Sequence, residues 1–199
     1  DLITITKKYH GTSGRTAKLI VPVKVNIFDK RYWNDGQFTG FFKTILEITE
    51  QTGTRRTLVC DSLRNIGMDQ DNYRMTIHKQ LAPLLKDNQT IYYEIVGFEP
   101  SGKSIMPNHD KFVYSYGCEP KEFDVIVYRM TETNALTGTI HESTFSELQE
   151  FCDNNNLRLI EPVAQFVYDG NPKSISDFVI RYCEENPYHD EGLLEGLVV

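Results

Sequence analysis

The chain is poor in cysteine, in long apolar runs and in positive charge, and each shortage excludes a class of proteins. Its only cysteines are Cys60, Cys118, Cys152 and Cys183, and none forms a Cys-x-x-Cys pair. Zinc sites often use such pairs, and disulfide scaffolds need denser cysteines, so we expect free thiols in a reducing, cytoplasmic compartment. No apolar run approaches the ~20 residues that span a bilayer, so no membrane contact is expected.

Positive charge is also scarce. The chain has 21 Lys and Arg against 28 Asp and Glu, with a net charge of -7 and a pI near 5.3. This balance excludes a uniformly basic nucleic-acid-binding surface but allows a local basic groove. The 199 residues are 40% hydrophobic and 12% aromatic, which suits one medium domain with a sizeable core.

Hydrophobic periodicity and turn signals predict strands interspersed with three helices. The helices are expected over 72–85 with a possible kink at Pro83, from the capping box at Thr144 to about Cys152, and from Ser174 to Asn186. A strand is expected over 20–27, with an edge or break at Pro22. Residues 38–49 fit a strand or a short helix. Further strands are expected over 57–60, 90–96, 112–116, 124–130 and 158–167. This order predicts an α+β fold, with mainly antiparallel sheets and flanking helices.

The most informative stretch is Lys8-Tyr9-His10-Gly11. A lysine amine that has lost its proton is a nucleophile able to attack phosphorus. A glycine three residues later allows close backbone approach to a nucleotide or a positive φ. The hydroxyls of Thr12 and Ser13 can donate to phosphate or ribose oxygens. The alternative is a solvated turn after the strand-like residues 2–5.

Two glutamates occupy unusual positions. Glu94 lies on an apolar strand pattern shortly before Gly97, and Glu195 directly precedes Gly196. Burying a carboxylate without partners costs several kcal/mol, so a ribose hydroxyl or a metal would explain Glu94. The alternatives are an outward-facing acid on an alternating strand for Glu94 and a helix-ending Glu-Gly for Glu195.

These segments resemble motifs I, III and IV of the covalent nucleotidyltransferases. Residues 122–129 are similar to motif IIIa, and residues 59–65 to the segment that carries an arginine toward the nucleotide. The matches follow the family order across nearly the whole chain, and the chain resembles the adenylyltransferase domain of ATP-dependent RNA ligases. His10 favours the phage type-2 RNA ligase branch, because DNA ligases and capping enzymes usually carry Asp there.

The resemblance implies three chemical steps. Lys8 would attack the α-phosphate of ATP and expel pyrophosphate, AMP would pass to a 5'-phosphate end, and a 3'-hydroxyl would displace AMP and seal the strand. The implied cofactors are ATP and Mg²⁺ or Mn²⁺. The implied partners are RNA ends or nicked nucleic acid, with no protein partner, and the origin would be phage or viral.

The resemblance also assigns roles to single residues. His10 and Gly11 would contact the nucleotide, Glu195 would hold metal, and Glu94 would bind ribose or metal. The other assignments are base stacking by Tyr128 (or Phe123), orientation of ribose or phosphate by Arg64 (or Arg56), and contacts to nucleic-acid phosphates by Arg15, Lys103 and Lys18.

The chain departs from the family pattern in two ways. Lys7 stands where relatives often have Glu, and the Lys-x-Lys of motif V has no counterpart before Val199. We therefore expect residues 1–199 to form one adenylyltransferase domain that ends before motif V and any C-terminal domain, with poor activity as a result. A GTP-using capping-type enzyme and a non-catalytic nucleic-acid-binding module remain alternatives. The substrate could be an RNA nick, a single-stranded break or a hybrid.

Overall fold

The computed structural model describes residues 2–26, 37–39, 42–55, 57–62, 72–106, 113–189 and 192–199. Within these ranges the α-helices are α1 (Tyr73–Leu81), α2 (Phe145–Asn155) and α3 (Pro172–Glu185). The strands are β1 (Leu2–Lys7), β2 (Thr12–Asn26), β3 (Gln37–Thr39), β4 (Phe42–Gly53), β5 (Leu58–Asp61), β6 (Gln89–Gly97), β7 (Phe123–Thr133), β8 (Ile140–Glu142), β9 (Arg158–Leu159), β10 (Pro162–Val167), β11 (Tyr188–His189), β12 (Gly192–Leu193) and β13 (Leu197–Val198). The described strand pairs are antiparallel except for β7 with β9. The predicted α+β class is confirmed.

The chain divides into two compact units. The first contains residues 1–14, 92–129 and 144–199, and the second contains residues 15–91 and 130–143. The strand order of the larger sheet is β3-β4-β2-β6-β7-β8. Whether residues 1–199 act as one adenylyltransferase domain stays a prediction.

The first unit contains the three-stranded sheet β10-β1-β13. β1 pairs with β10 from Leu2 opposite Val167, and its other edge pairs with β13, with Thr6 opposite Val198. A cluster of buried residues beside this sheet is rich in tyrosine and consists of Tyr9, Val96, Tyr114, Tyr116, Ile126 and Ile160. Two edges of β1 are therefore paired just before the chain reaches Lys8.

In the second unit β2 and β4 form a long antiparallel pair. The register runs without a shift from Arg15 opposite Gly53 to Asn26 opposite Phe42, so the predicted break at Pro22 is wrong. The alternative, that Pro22 lies at an edge, stays a prediction. In an antiparallel ladder every second position makes no bond to the partner, so a proline can be accommodated without loss of register. β5 is fixed to β4 by the buried Asp61 carboxylate, which accepts from the Thr49 hydroxyl at 2.8 Å.

Two of the helices begin as local signals indicate. α2 begins after Thr144, whose side chain and that of Glu147 form the predicted capping box, and it ends at Asn156 in the left-handed conformation, a few residues beyond the expected end. α3 begins at Pro172 rather than Ser174, because Asn171 caps it. Its apolar residues Ile175, Phe178, Val179, Tyr182 and Cys183 are only half-buried, and no residue of α3 is fully buried.

The predicted strand over 112–116 is wrong where the structure describes it. No strand forms over residues 113–116: the Ser115 N–H donates to the Val113 carbonyl, and the Cys118 N–H donates to the Ser115 carbonyl across a turn at Tyr116 and Gly117, both at 3.0 Å. Tyr116 has φ 50°, which ends any extended conformation. The predicted strand over 158–167 is two short strands, β9 and β10, and the region 38–49 contains strands, not a helix.

Two further sequence expectations can be compared with the described residues. All four cysteines are free thiols, and burial raises the pKa of Cys152 to about 11. No helix among the described residues is long and apolar enough to cross a membrane.

His78 makes the stability of the second unit depend on pH. It lies on α1, which ends at Leu81 before a 3-10 turn that contains Pro83. The ring is buried, and its Nδ1 has no hydrogen-bond partner in the described part of the chain. Burial lowers the pKa of His78 from 6.5, and the charge of Glu50 offsets this only in part.

Stability should therefore fall as the pH drops below about 6.5, because the unfolded chain then binds a proton that the folded chain rejects. Above that pH His78 is neutral in both the folded and the unfolded chain, and its contribution to stability is fully present. We expect His78→Gln to flatten the dependence of the melting temperature between pH 7.5 and 5.5, measured by circular dichroism. His141→Gln, at an exposed site, is the control. Identical slopes for the wild type and His78→Gln would contradict this assignment.

Candidate functional site

The Lys8 loop is placed by the pairing of β1 with β13. Lys7 lies opposite Leu197, and the Lys8 N–H donates to the Gly196 carbonyl at 3.0 Å. Gly196 has φ 138°, a conformation that glycine adopts without strain. Gly196 joins Glu195 to β13, and the Glu195 side chain contacts Lys8, which is 187 residues away in the chain.

Lys8 and Glu195 form an ion pair. The Lys8 ammonium donates to Oε1 of Glu195, and the two side chains are 50% and 24% exposed. Ion pairs this accessible are typically worth about 0–1 kcal/mol. The backbone pairing therefore fixes their proximity, and an incoming charged group can replace either partner at low cost.

His10 faces the second oxygen of the same carboxylate. Its Nδ1 lies 3.5 Å from Oε2 of Glu195, and its ring stacks on Tyr114 with the centroids 4.0 Å apart. The His10 backbone N–H donates to the Tyr116 hydroxyl at 2.9 Å. Nε2 of His10 is buried and has no hydrogen-bond partner among the residues that the structure describes. A buried polar atom of this kind can accept a partner from a bound ligand.

The neighbouring lysine is directed to a different carboxylate. Lys7 Nζ donates to Oε2 of Glu161 at 2.8 Å, and the Lys7 N–H donates to the Glu161 carbonyl at 3.1 Å. Consecutive residues near a strand end project to opposite sides, so the two lysines have separate surroundings. The sequence reasoning did not identify Glu161, because no local pattern links it to Lys7.

Gly11 lies against the strand that carries Glu94. A Cβ at Gly11 would lie 2.5 Å from the Ile95 carbonyl oxygen and 2.7 Å from Cγ of Glu94. Gly11 does not have a positive φ, so close approach to β6 is what requires a glycine here. The half-buried Glu94 side chain therefore lies beside the Lys8 loop.

The two candidate stacking aromatics lie in different places. Tyr128 is half-buried on β7 and packs against the tyrosine-rich cluster. Phe123, at the start of β7, instead lines an open cavity of about 560 Å³ together with Tyr116 and Arg158. Arg158 donates to the Asp124 carboxylate at 3.0 Å.

The other predicted residues are Arg64, with Arg56 as its alternative, and the three candidates for phosphate contacts. Arg64 and its competitor Arg56 lie outside the described residues. Lys103 is exposed in the loop after β6, and its carbonyl accepts from the Glu99 N–H. Arg15 and Lys18 belong to the second unit, where Lys18 forms an ion pair with Asp87 at 3.1 Å.

The residues that hold His10 were missed by sequence reasoning. Tyr114 and Tyr116 lie in a segment whose alternation of aromatic and small residues predicts a strand. The positive φ of Tyr116 and its contact with His10 depend on residues about 100 positions away. The only local signal was the Tyr116-Gly117 pair, which is typical of a turn.

The acidic residues offer a limited metal site. Among the described residues, no group of three or more His, Cys, Asp or Glu side chains could hold a metal ion. Mg²⁺ is commonly bound by one or two carboxylates together with substrate phosphates. The carboxylate of Glu195 is an oxygen ligand of that kind, and substrate phosphates would have to supply the others.

Comparison with known proteins gives distant likenesses only. No family model and no curated protein matches the sequence. A protein named as an ATP-dependent DNA ligase, from Aquifex aeolicus, has a TM-score of 0.41 and 12% identity over 92% of this chain and 38% of its own. A mutant RNA ligase from Naegleria gruberi, in its apo form, has a TM-score of 0.47 and 14% identity over 98% of this chain and 45% of its own.

The chain therefore spans less than half the length of either of these two structures. At these identities and TM-scores, neither likeness assigns an activity or a substrate to the chain.

The Lys8–Glu195 ion pair should contribute little to stability. We expect Lys8→Met and Glu195→Gln each to change the free energy of unfolding by less than about 1 kcal/mol. Gly11→Ala should cost about 1–3 kcal/mol, because the added methyl meets the Ile95 backbone. Thermal or urea unfolding measures both effects. A loss for Glu195→Gln as large as that for Gly11→Ala would show that the ion pair, not the strand pairing, holds the loop.

Proposed function

We propose that this chain is a nucleotidyltransferase that takes AMP from ATP onto Lys8 and passes it to a nucleic-acid end for joining. The observation that carries the proposal is the contact of Lys8 with Glu195, with His10 on the other oxygen of the same carboxylate. These three residues come from the segments that resemble motifs I and IV. Their meeting in the first unit supports a common chemical role.

The first step needs an amine without its extra proton. Water can take that proton, because the Lys8 side chain is half exposed. The nitrogen then forms a bond to the α-phosphorus of ATP, while the bond from that phosphorus to the pyrophosphate oxygen breaks. Because the Lys8 side chain is half exposed, the nucleotide can reach it without prior opening of the fold.

Other residues of the first unit would hold the nucleotide. His10, with a buried and unpartnered Nε2, would contact it, as would the backbone at Gly11. Glu94 would bind a ribose hydroxyl or join Glu195 in holding Mg²⁺ or Mn²⁺, which supplies charge neutralisation to the phosphates when bound. Tyr128 would stack on the base, a contact of about 0.5–1.5 kcal/mol beyond area burial.

The later steps concern the nucleic acid. The proposed substrate is an RNA end or a nick, and the choice of RNA rather than DNA rests on His10 in the third motif position. Lys103, which is exposed, and Arg15, which is half-buried in the second unit, would contact phosphates. Arg64 would orient the nucleotide. Such phosphate contacts are few in an acidic chain, so binding should weaken with added salt with a slope set by that small number of contacts.

The direct test is covalent labelling. The protein is incubated with ATP labelled at the α-phosphate and with Mg²⁺ or Mn²⁺, then separated under denaturing conditions. We expect label on the wild type and none on Lys8→Ala. Lys7→Ala is the matched control, since it removes the adjacent lysine and another lysine–glutamate ion pair, and it should keep its label.

The same assay separates the alternatives. Label from GTP but not from ATP would favour a capping-type enzyme. Label that persists in Lys8→Ala would remove Lys8 from the mechanism. An intact protein that takes no label but still binds nucleic acid would favour a non-catalytic module.

A further inference from the structure

We propose that Tyr116 is a positioning residue for the transfer to Lys8. Its hydroxyl and ring hold the backbone that follows the lysine, so that the amine faces the nucleotide in one orientation. This inference rests on the proposed function and adds a residue that no motif of the sequence indicated.

The Tyr116 side chain contacts the two residues after Lys8. Its hydroxyl accepts from the His10 N–H at 2.9 Å, and its ring packs on Tyr9 with the centroids 5.0 Å apart. The side chain is 6% exposed, so water does not compete freely for this hydrogen bond. The loop is thereby fixed through both a side chain and a backbone donor.

The Tyr116 backbone is itself held in an unfavourable conformation. A φ of 50° is uncommon for a bulky side chain and costs of the order of 1–3 kcal/mol where the surroundings enforce it. The Tyr116 carbonyl accepts from Nη1 of Arg158 at 3.2 Å, and the same guanidinium is bound to Asp124. Strain retained in this way is typical of residues whose placement serves a site.

Lys8 consequently lies between two backbone anchors. Its own N–H is bound to the Gly196 carbonyl, and two residues later the His10 N–H is bound to Tyr116. The first anchor sets the distance to Glu195, and the second limits rotation of the loop about β1. Misplacement of a reacting group by about 1 Å can cost about a hundredfold in rate.

Tyr114 provides a matched comparison in the same cluster. It is equally buried, and its ring stacks on His10, but its hydroxyl makes no hydrogen bond to a described residue. Tyr114→Phe therefore removes a hydroxyl that holds nothing in the described part of the chain. Tyr116→Phe removes one that holds the loop.

The test measures formation of the lysine–AMP bond in a single turnover at varied ATP concentration. For Tyr116→Phe we expect the rate constant at saturating ATP to fall about tenfold or more, with the half-saturating concentration within about twofold of the wild type. For Tyr114→Phe we expect both values within about twofold. The His10 amide proton should shift upfield in the NMR spectrum of Tyr116→Phe only, since it loses its acceptor.

The outcomes separate this inference from the proposed function. A wild type that forms the adduct, with Tyr116→Phe equally fast, overturns the positioning role and leaves the function standing. A half-saturating concentration raised in proportion to the lost rate also overturns it, because the residue would then act in ATP binding. A wild type that forms no adduct overturns both. If Tyr116→Phe melts much earlier than the wild type, Arg158→Lys, which loosens the same turn, should show the same loss of rate.

Discussion

The short antiparallel pairing of β1 with β13 is the constraint on which the site depends. It joins the two ends of the described chain and sets Glu195 against Lys8 through a bond from the Lys8 N–H to the Gly196 carbonyl. The ion pair itself is too exposed to hold the two segments together. Weak attraction on a firmly placed backbone suits the role proposed for Lys8, which would release a proton and bond to the nucleotide.

A second constraint comes from the tyrosine-rich cluster. Tyr9 belongs to it, His10 stacks on its member Tyr114, and Lys8 is half exposed, so three consecutive residues join core packing to the site. Tyr116 completes this arrangement by accepting from the His10 N–H while its own backbone is strained. Packing against the buried cluster thus orients the side chains of the Lys8 loop, which would be mobile in a solvated turn of the same sequence.

Local signals in the sequence predicted much of the fold. The capping box at Thr144 and the alternation along β7 specify their elements with few distant contacts, and both are confirmed. The turn at Tyr116 was not predictable in this way, because its aromatic alternation fits a strand until the contacts to Tyr9 and His10 are known. Likewise no sequence pattern predicts that Lys7 forms an ion pair with Glu161 and Lys8 with Glu195, because each glutamate is more than 150 residues away from its lysine.

The central claim is that Lys8 carries the nucleotide, and the most direct measurement is peptide mapping by mass spectrometry after incubation with ATP and Mg²⁺. We expect an adduct of one AMP on the peptide that contains Lys7 and Lys8, with fragment ions placing it on Lys8. An adduct on Lys7 or on another side chain, or an intact protein that remains unmodified while ATP is consumed, would contradict it.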